Sequence, residues 1–270
     1  MGAVLRRGKP GGCRRRPTSP GTRRGGPRGE NDRFYFADHG SGMPRNKRFP
    51  GNSGLSVPLV VYIPDSFKNL RPSDYIPGGR SERRVSFVDF APTVLSLAGI
   101  QPPEWMQGHA FLGAFIAPEP AYLHGFRGRM DEKLDMIRSV TDGRYVYLRN
   151  YMPHLAHGQH LAYMFQTPTT QAWHQLFQEG KLTEAQSAFW KPKPPEELYD
   201  LASDPDEIQN LASSAEHQKI LQRLREAQRN QVLAARDVGF LPKERFIPVA
   251  KARRLTTWGI IQHSTPSKGY

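Results

Sequence analysis

The sequence predicts an α/β chain with an incomplete central sheet, followed by an α+β subdomain, and three observations lead there. Short apolar runs bounded by Gly and Pro, then a run that turns helical, occupy residues 31 to 120. A hairpin signal and amphipathic stretches at helical spacing occupy residues 121 to 245. The apolar fraction of 37% and mean hydropathy of −0.62 are low for 270 residues. Either part of the chain is unfolded or its core is shared with another body.

Taken in order, residues 1 to 30 hold eight Gly, four Pro and nine Lys or Arg with a single acid, Glu30. So little apolar surface cannot offset the entropy of ordering, and this segment is expected to be disordered. Order is expected from Arg33, where Phe34, Tyr35 and Phe36 make a short buried-strand candidate that runs straight into Ala37-Asp38-His39-Gly40. A Gly-, Pro- and Asn-rich loop, 40 to 54, precedes a second strand candidate, Val57 to Ile63, closed by Pro64. Val85 to Val88 reads as a third short strand. Asp89 is placed to cap a helix that has Pro92 in its first turn and stops at Gly99.

Beyond residue 120 the character changes. Leu134 to Val140 and Arg144 to Arg149 flank Thr141-Asp142-Gly143, a hairpin with Asp-Gly at its turn. Helices are predicted over Gln171 to Glu179, Thr183 to Trp190 and Glu216 to Ala235. The last of these carries Ile220, Leu221, Leu224, Ala227 and Leu233 on one stripe. Residues 246 to 270 form an irregular tail without periodicity.

The net charge of +13 and pI near 10.0 point at first to a polyanionic partner. Residues 1 to 30 alone contribute +8, and the remaining residues contribute +5 from 29 basic and 24 acidic side chains. Nucleic acid is therefore expected to bind only non-specifically, through the first 30 residues. The single cysteine, Cys13, excludes an intrachain disulfide framework and a Cys-rich zinc site. No apolar run is long enough to span a membrane, and the start has arginines without the apolar stretch of a secretory signal.

Candidate chemistry gathers at Asp38, His39 and Lys47. An Asp-His pair at the end of a buried strand can present a hard carboxylate oxygen and an imidazole nitrogen to one metal ion. In open α/β sheets such positions lie where ligands bind. Lys47 on the following loop can meet an anionic oxygen as a point charge. The same residues also suit an ordinary loop whose Asp and His make turn hydrogen bonds.

The longer stretch resembles the sulfatase family of the alkaline phosphatase superfamily. The resemblance is carried by Phe36-Ala37-Asp38-His39-Gly40-Ser41-Gly42-Met43-Pro44-Arg45-Asn46-Lys47-Arg48 and Asn52-Ser53-Gly54-Leu55-Ser56-Val57-Pro58-Leu59-Val60. It continues through Val85-Ser86-Phe87-Val88-Asp89-Phe90-Ala91-Pro92-Thr93 and Leu97-Ala98-Gly99. Glu197-Leu198-Tyr199-Asp200-Leu201, Asp204-Pro205-Asp206-Glu207 and Asn210-Leu211 follow in family order. The resemblance spans roughly residues 31 to 245 and matches the C-terminal portion of the family. It implies a partial sulfatase-like sandwich, a sulfuric ester hydrolase and a bound calcium ion. It further implies that Asp38 and His39 ligate the metal and that Lys47 bridges the sulfate and its leaving oxygen.

The family's nucleophile is a formylglycine made from the cysteine of Cys-X-Pro-Ser-Arg, and this sequence has no such motif. Cys13 stands in Cys13-Arg14-Arg15-Arg16-Pro17, without the Pro and Ser-Arg at the required offsets. The chain is therefore expected to be an N-terminally truncated sulfatase, inactive in isolation. A related phosphate or phosphonate ester hydrolase is the alternative within the superfamily, and a basic nucleic-acid-binding protein the alternative of another class. A sulfate ester is the expected substrate, no membrane partner is expected, and an uncovered sheet predicts self-association.

His154, His157 and His160 recur at three-residue intervals between Pro153 and the residues after Gly158. The Pro and Gly around these histidines suit a solvated loop first; the resemblance places the stretch near the mouth of the active site, which makes His154 and His157, with Arg129, candidates for substrate contact, and a metal fits less well. Arg127, Arg129 and Asp131 read as surface ion pairs. Trp105, Trp173, Trp190 and Trp258 read as packing residues.

Overall fold

The computed structural model describes residues 2–3, 31–39, 43–129 and 132–241. The expected disorder of residues 1 to 30, the tail from 246, and Cys13, Asp131 and Trp258 thus lie wholly or mostly outside the described residues. The chain divides into two compact units, Met1–Arg229 and Asn230–Tyr270.

Two of the three sheets among the described residues organise the first unit. β1 (Arg33–Phe36) and β2 (Leu59–Tyr62) form an antiparallel ribbon, with Phe34 opposite Val61 and Tyr35 opposite Val60. Side chains alternate across a strand, so the register sorts them. Phe34, Leu59 and Val61 face a core built on Ile63, Val85, Phe111 and Leu112. Tyr35, Val60 and Tyr62 face out, Tyr35 being 71% exposed. Among the described residues this ribbon has no third strand.

The predicted strand at Val85 is shorter than expected. Only Val85–Ser86 is extended, paired antiparallel with Gly2–Ala3, before the chain tightens into a 3-10 turn at Phe87–Asp89. Helix α2 (Phe90–Leu97) follows. Asp89 is not its side-chain N-cap as predicted; the capping box begins one turn earlier at Ser86. The Asp89 carboxylate reaches back to the amide of Ser86 at 2.7 Å and also accepts from the His109 amide at 2.8 Å. One buried acid thus closes the turn and ties a distant loop to it.

The second sheet is antiparallel and four-stranded, in the order β3 (Leu123–Arg127), β4 (Ile137–Thr141), β5 (Tyr145–Asn150) and β6 (Glu196–Asp200). The Asp-Gly hairpin joins β4 to β5. Asp142 faces Tyr145, so Gly143 takes the first central position with φ +96°, which a type II′ turn reserves for glycine. The Asp142 carboxylate accepts from the amides of Arg144 and Tyr145 at 3.0 and 2.7 Å.

Both faces of this sheet are covered. Val140, Tyr145, Tyr147 and Leu198 pack beneath Leu221 and Leu224 of helix α5 (Gln218–Ala234). Ile137, Val146, Leu148 and Tyr199 form a second cluster. Helix α3 (Pro168–Gln178) lends Trp173 and Phe177 to an aromatic cluster around Phe49, Phe189 and Trp190, the last two lying just after the one-turn helix α4 (Glu184–Ser187). In the second unit, Leu233 belongs to the predicted stripe but is exposed, and Asp237 caps a 3-10 turn at Val238–Phe240.

Two expectations are corrected here. Trp105 does not pack in a core: it is 78% exposed. Arg127 is no surface ion-pair residue but 2% exposed, its guanidinium 4.6 Å from the ring of Phe49 and 3.7 Å from Asp135. Lys193 bonds both oxygens of that same buried aspartate at 2.8 Å. Buried charge of this kind holds only when paired, and the pairs pin β3 to the segment leading into β6.

Candidate functional site

The site begins where β1 ends. The amide of Ala37 still bonds the carbonyl of Pro58 at 3.3 Å, and pairing then stops. His39 adopts φ +98°, a left-handed conformation that costs energy for any residue with a side chain. Within the same loop Arg45 (φ +68°) and Arg48 (φ +82°) share that strain. Three of the five such residues among those described flank Lys47, so the strain is concentrated at the candidate chemistry.

The turn from Met43 is held by backbone bonds from Asn46 to Met43 at 3.2 Å and from Phe49 to Asn46 at 3.3 Å. It leads into a one-turn helix, α1 (Asn52–Leu55), where the Gly-, Pro- and Asn-rich composition predicts loop up to residue 54. Gly54 is there for space: a side chain would overlap the carbonyls of Asn46 and Phe49.

This folding returns Lys47 towards the strand end, with its Nζ 3.9 Å from Oδ2 of Asp38. The Asp38 side chain is 78% exposed, so the pair is worth little as a stabilising contact. Burial lowers the pKa of His39; Asp38 opposes this, while Lys47 and Arg48 reinforce it. A neutral imidazole with a lone pair to offer follows at neutral pH. Asp38, His39 and Lys47 are thus gathered at one strand end. Gly40, Ser41 and Gly42 between them lie outside the described residues.

Calcium favours six to eight oxygen donors. Asp38 and His39 supply one carboxylate and one nitrogen, and no group of three or more metal-ligating side chains occurs among the described residues. The pair suits two positions of a divalent-cation shell and is too few to hold calcium alone.

The remaining candidates are dispersed. Arg129 and His154 are exposed. His157 is half-buried, its Nε2 3.4 Å from Oε1 of Glu197 and its ring stacked on Phe189 at 6.3 Å. Glu197 also accepts from Asn150 at 2.5 Å and from the Tyr199 hydroxyl at 2.7 Å. Burial by itself would raise the Glu197 pKa, but these partners hold it below the usual carboxylate value.

Beside this network lies a cavity of about 370 Å³, lined by Arg45, Phe49, His157, Trp173, Phe189, Glu197 and Glu207. Glu207 went unnoticed in the sequence as a candidate. Its Oε1 accepts from the amide of Asn52 at 2.8 Å, and burial pushes its pKa up to about 7. No helix among the described residues is long and apolar enough to cross a membrane.

Residues 34–100 match the Sulfatase family model. An ulvan-active sulfatase of Formosa agariphila is 40% identical over 215 residues, covering 79% of this chain and 35% of the relative. A second ulvan-active sulfatase of that organism is 30% identical over 198 residues, covering 71% of this chain and 35% of its own length. The chain therefore spans about a third of the curated relatives it matches. Among solved structures, a protein in complex with its substrate D-glucosamine-2-N,6-O-disulfate superposes with a TM-score of 0.50 at 16% identity, over 78% of this chain and 36% of that one. At that identity the likeness speaks for the fold alone.

Proposed function

We propose, from the premise that this chain belongs to the sulfatase family, that it carries one part of the active site of a sulfuric ester hydrolase. The observation that carries this reading is the convergence of Lys47 on Asp38, 3.9 Å apart at the end of β1. Hydrolysis of a sulfate ester moves negative charge onto the oxygen that leaves sulfur. A cation held at that oxygen stabilises the charge, and an ammonium can also supply the proton the leaving alcohol needs. Lys47 is the residue for that position: it carries three N–H donors on a flexible stem and approaches the site from a strained, pre-shaped loop.

Asp38 and His39 are proposed as two ligands of a divalent cation, calcium, whose other donors lie outside the described residues. Bound there, the cation would supply positive charge to the sulfate oxygens. The part of this chain is to present the carboxylate and the neutral imidazole side by side. No residue of the sequence stands in a Cys-X-Pro-Ser-Arg motif, so the nucleophile comes from elsewhere and the isolated chain is expected to turn over no sulfate ester. A carbohydrate sulfate is the proposed substrate class, consistent with the named activity of the relatives and the disulfated sugar of the structural neighbour.

The test is binding rather than turnover. Inorganic sulfate titrated into the full chain with calcium present should produce saturable heat that Lys47→Ala reduces at least tenfold in affinity. Equal affinity in the variant would exclude Lys47 from the sulfate site. Phosphate in place of sulfate, bound more tightly by wild type, would turn the reading towards a phosphate ester hydrolase.

A further inference from the structure

Besides the packing of its Phe49 against Phe189 and Arg127, the loop that carries Lys47 is fastened by hydrogen bonds to the turn that follows β6. Its Arg45 donates through Nη2 to the carbonyl of Asp206 at 2.7 Å, and its Asn52 amide donates to Oε1 of Glu207 at 2.8 Å. The second Glu207 oxygen lies 3.9 Å from Arg45 Nη2. Ser53 closes the loop on itself, donating from its hydroxyl to the Arg45 carbonyl at 2.8 Å. Gly51 is pressed against the same carboxylate, since a Cβ there would stand 2.7 Å from Glu207 Oε2. Both partners hold left-handed backbone, Arg45 at φ +68° and Glu207 at φ +55°. Strain on both sides of one contact persists only where the surrounding structure over-determines it.

We propose that Glu207 is a positioning residue: by holding the Arg45–Asn52 loop onto the turn that follows β6, it sets Lys47 beside Asp38. The tether itself stands on these contacts; its bearing on sulfate rests on the reading of Lys47 given above.

The tether has a pH sense. The groups facing the Glu207 carboxyl are Arg45 and the Asn52 amide, which favour its charge, and Glu197 and Asp204, which oppose it; the Tyr199 phenol lies within their field. Burial outweighs all of them, so the closed tether holds a proton up to about pH 7, against 4.5 for an ordinary glutamate. A group whose value is raised by closure stabilises closure most when protonated, and the advantage is lost as pH rises through the raised value. Opening is therefore expected to grow by about tenfold between pH 6 and pH 8, and to level off above that.

Hydrogen exchange on the full chain, corrected for intrinsic rates at each pH, tests this. Peptides covering residues 43 to 55 report the loop, and peptides covering 137 to 150 serve as the internal reference. Wild type should lose protection in the loop peptides by about tenfold from pH 6 to pH 8 while the reference stays flat. Glu207→Gln, which keeps the shape and an acceptor but cannot ionise, should keep the loop closed and flat across that range. The same pH response in Glu207→Gln, or an unchanged loop in Glu207→Ala with the reference intact, would overturn the proposal. Loss of protection in the reference would mark Glu207→Ala as unfolded, and Glu207→Gln then decides. Inorganic sulfate added to the same samples separates the two readings. Sulfate protection of the loop in wild type and Glu207→Gln but not in Glu207→Ala supports positioning. Absence of any sulfate effect in wild type removes the sulfate reading while the exchange result for the tether stands.

Discussion

The β1–β2 ribbon and the β3–β6 sheet are built to opposite standards of closure. The β3–β6 sheet is buried on both faces: α5 packs on one, Ile137, Val146, Leu148 and Tyr199 are buried on the other, and the segments leading into β4 and β6 are tied by the buried Lys193–Asp135 pair. The β1–β2 ribbon buries one face and leaves Tyr35, Val60 and Tyr62 on the other in the open. Yet the candidate chemistry sits at the end of the ribbon. A strand end with only one covered face has few contacts to fix it, so its loop borrows rigidity from the better-built half through Arg45, Asn52 and Glu207. Stability and chemistry are separated in the fold, and substitutions should separate them too.

The largest contrast is expected from trimming one aliphatic side chain in each sheet. Leu198 is fully buried between β5 and α5, and Leu198→Ala should cost about 3 kcal/mol through lost burial and the cavity left behind. Val60→Ala, on the open face of the ribbon, should stay within about 0.5 kcal/mol. Urea unfolding midpoints on both variants measure the difference, and equal costs would mean the ribbon is covered in solution. Close behind comes Lys193→Met. It removes both 2.8 Å bonds to the buried Asp135 and leaves the Met136 amide, 2.8 Å from Oδ1, and Arg127, 3.7 Å from Oδ2, to compensate. A loss of about 3 kcal/mol is expected in the same unfolding experiment. A stable variant would show that Arg127 and the Met136 amide together satisfy the carboxylate.

A smaller effect with a definite pH signature lies at the hairpin. Although burial pulls the other way, the Arg223 side chain and the amides of Tyr145 and Arg144 hold the Asp142 carboxyl below its usual 3.8. A group with a depressed value contributes stability that is complete above 3.8 and is lost as pH falls through the depressed value. Asp142→Asn should therefore cost about 1 kcal/mol at pH 6, and the gap to wild type should narrow in acid unfolding below pH 3.8. A gap that is constant with pH would assign the effect to turn geometry rather than charge.

What could be read from the sequence follows the range of the forces involved. The hairpin, α3, α5 and the strand at residue 33 were legible because turn chemistry and period are local properties. Strands β3 and β6 were not assigned, since Leu123–Arg127 has a Gly at its centre and Glu196–Asp200 is mostly charged or polar. Their place in the sheet is decided by the partners Ser139 and Leu148 across the ladder, which lie far off in sequence. Asp38, His39 and Lys47 are legible as a local motif, and the fold brings Lys47 Nζ to 3.9 Å from Oδ2 of Asp38. Glu207 was passed over because nothing in Asp204-Pro205-Asp206-Glu207 says that its last acid will be buried 155 positions away from the amide it accepts from. The burial of Arg127 is hidden for the same reason: an arginine beside glycine looks solvated until a phenylalanine and an aspartate enclose it.

The smallest expected effect on stability is the one that tests the ribbon's open face directly. In the register of β1 and β2, Tyr35 stands opposite Val60 and Arg33 opposite Tyr62, so the exposed face is apolar along three of these four positions. An exposed apolar face of this kind suits docking by another apolar surface, which is the expectation to test. Val60→Lys places a charge at its centre, and any second strand or apolar surface docking there would have to desolvate it. Sedimentation velocity over a concentration series should show association in wild type and its reduction in Val60→Lys, with unfolding midpoints unchanged within about 0.5 kcal/mol. Association of equal strength in both would place the sticky surface elsewhere, and a monomeric wild type would mean that Tyr35 and Tyr62 are tolerated by water as they stand. Either result sharpens the contrast between the halves, because a surface lysine on the closed sheet has no comparable face to protect.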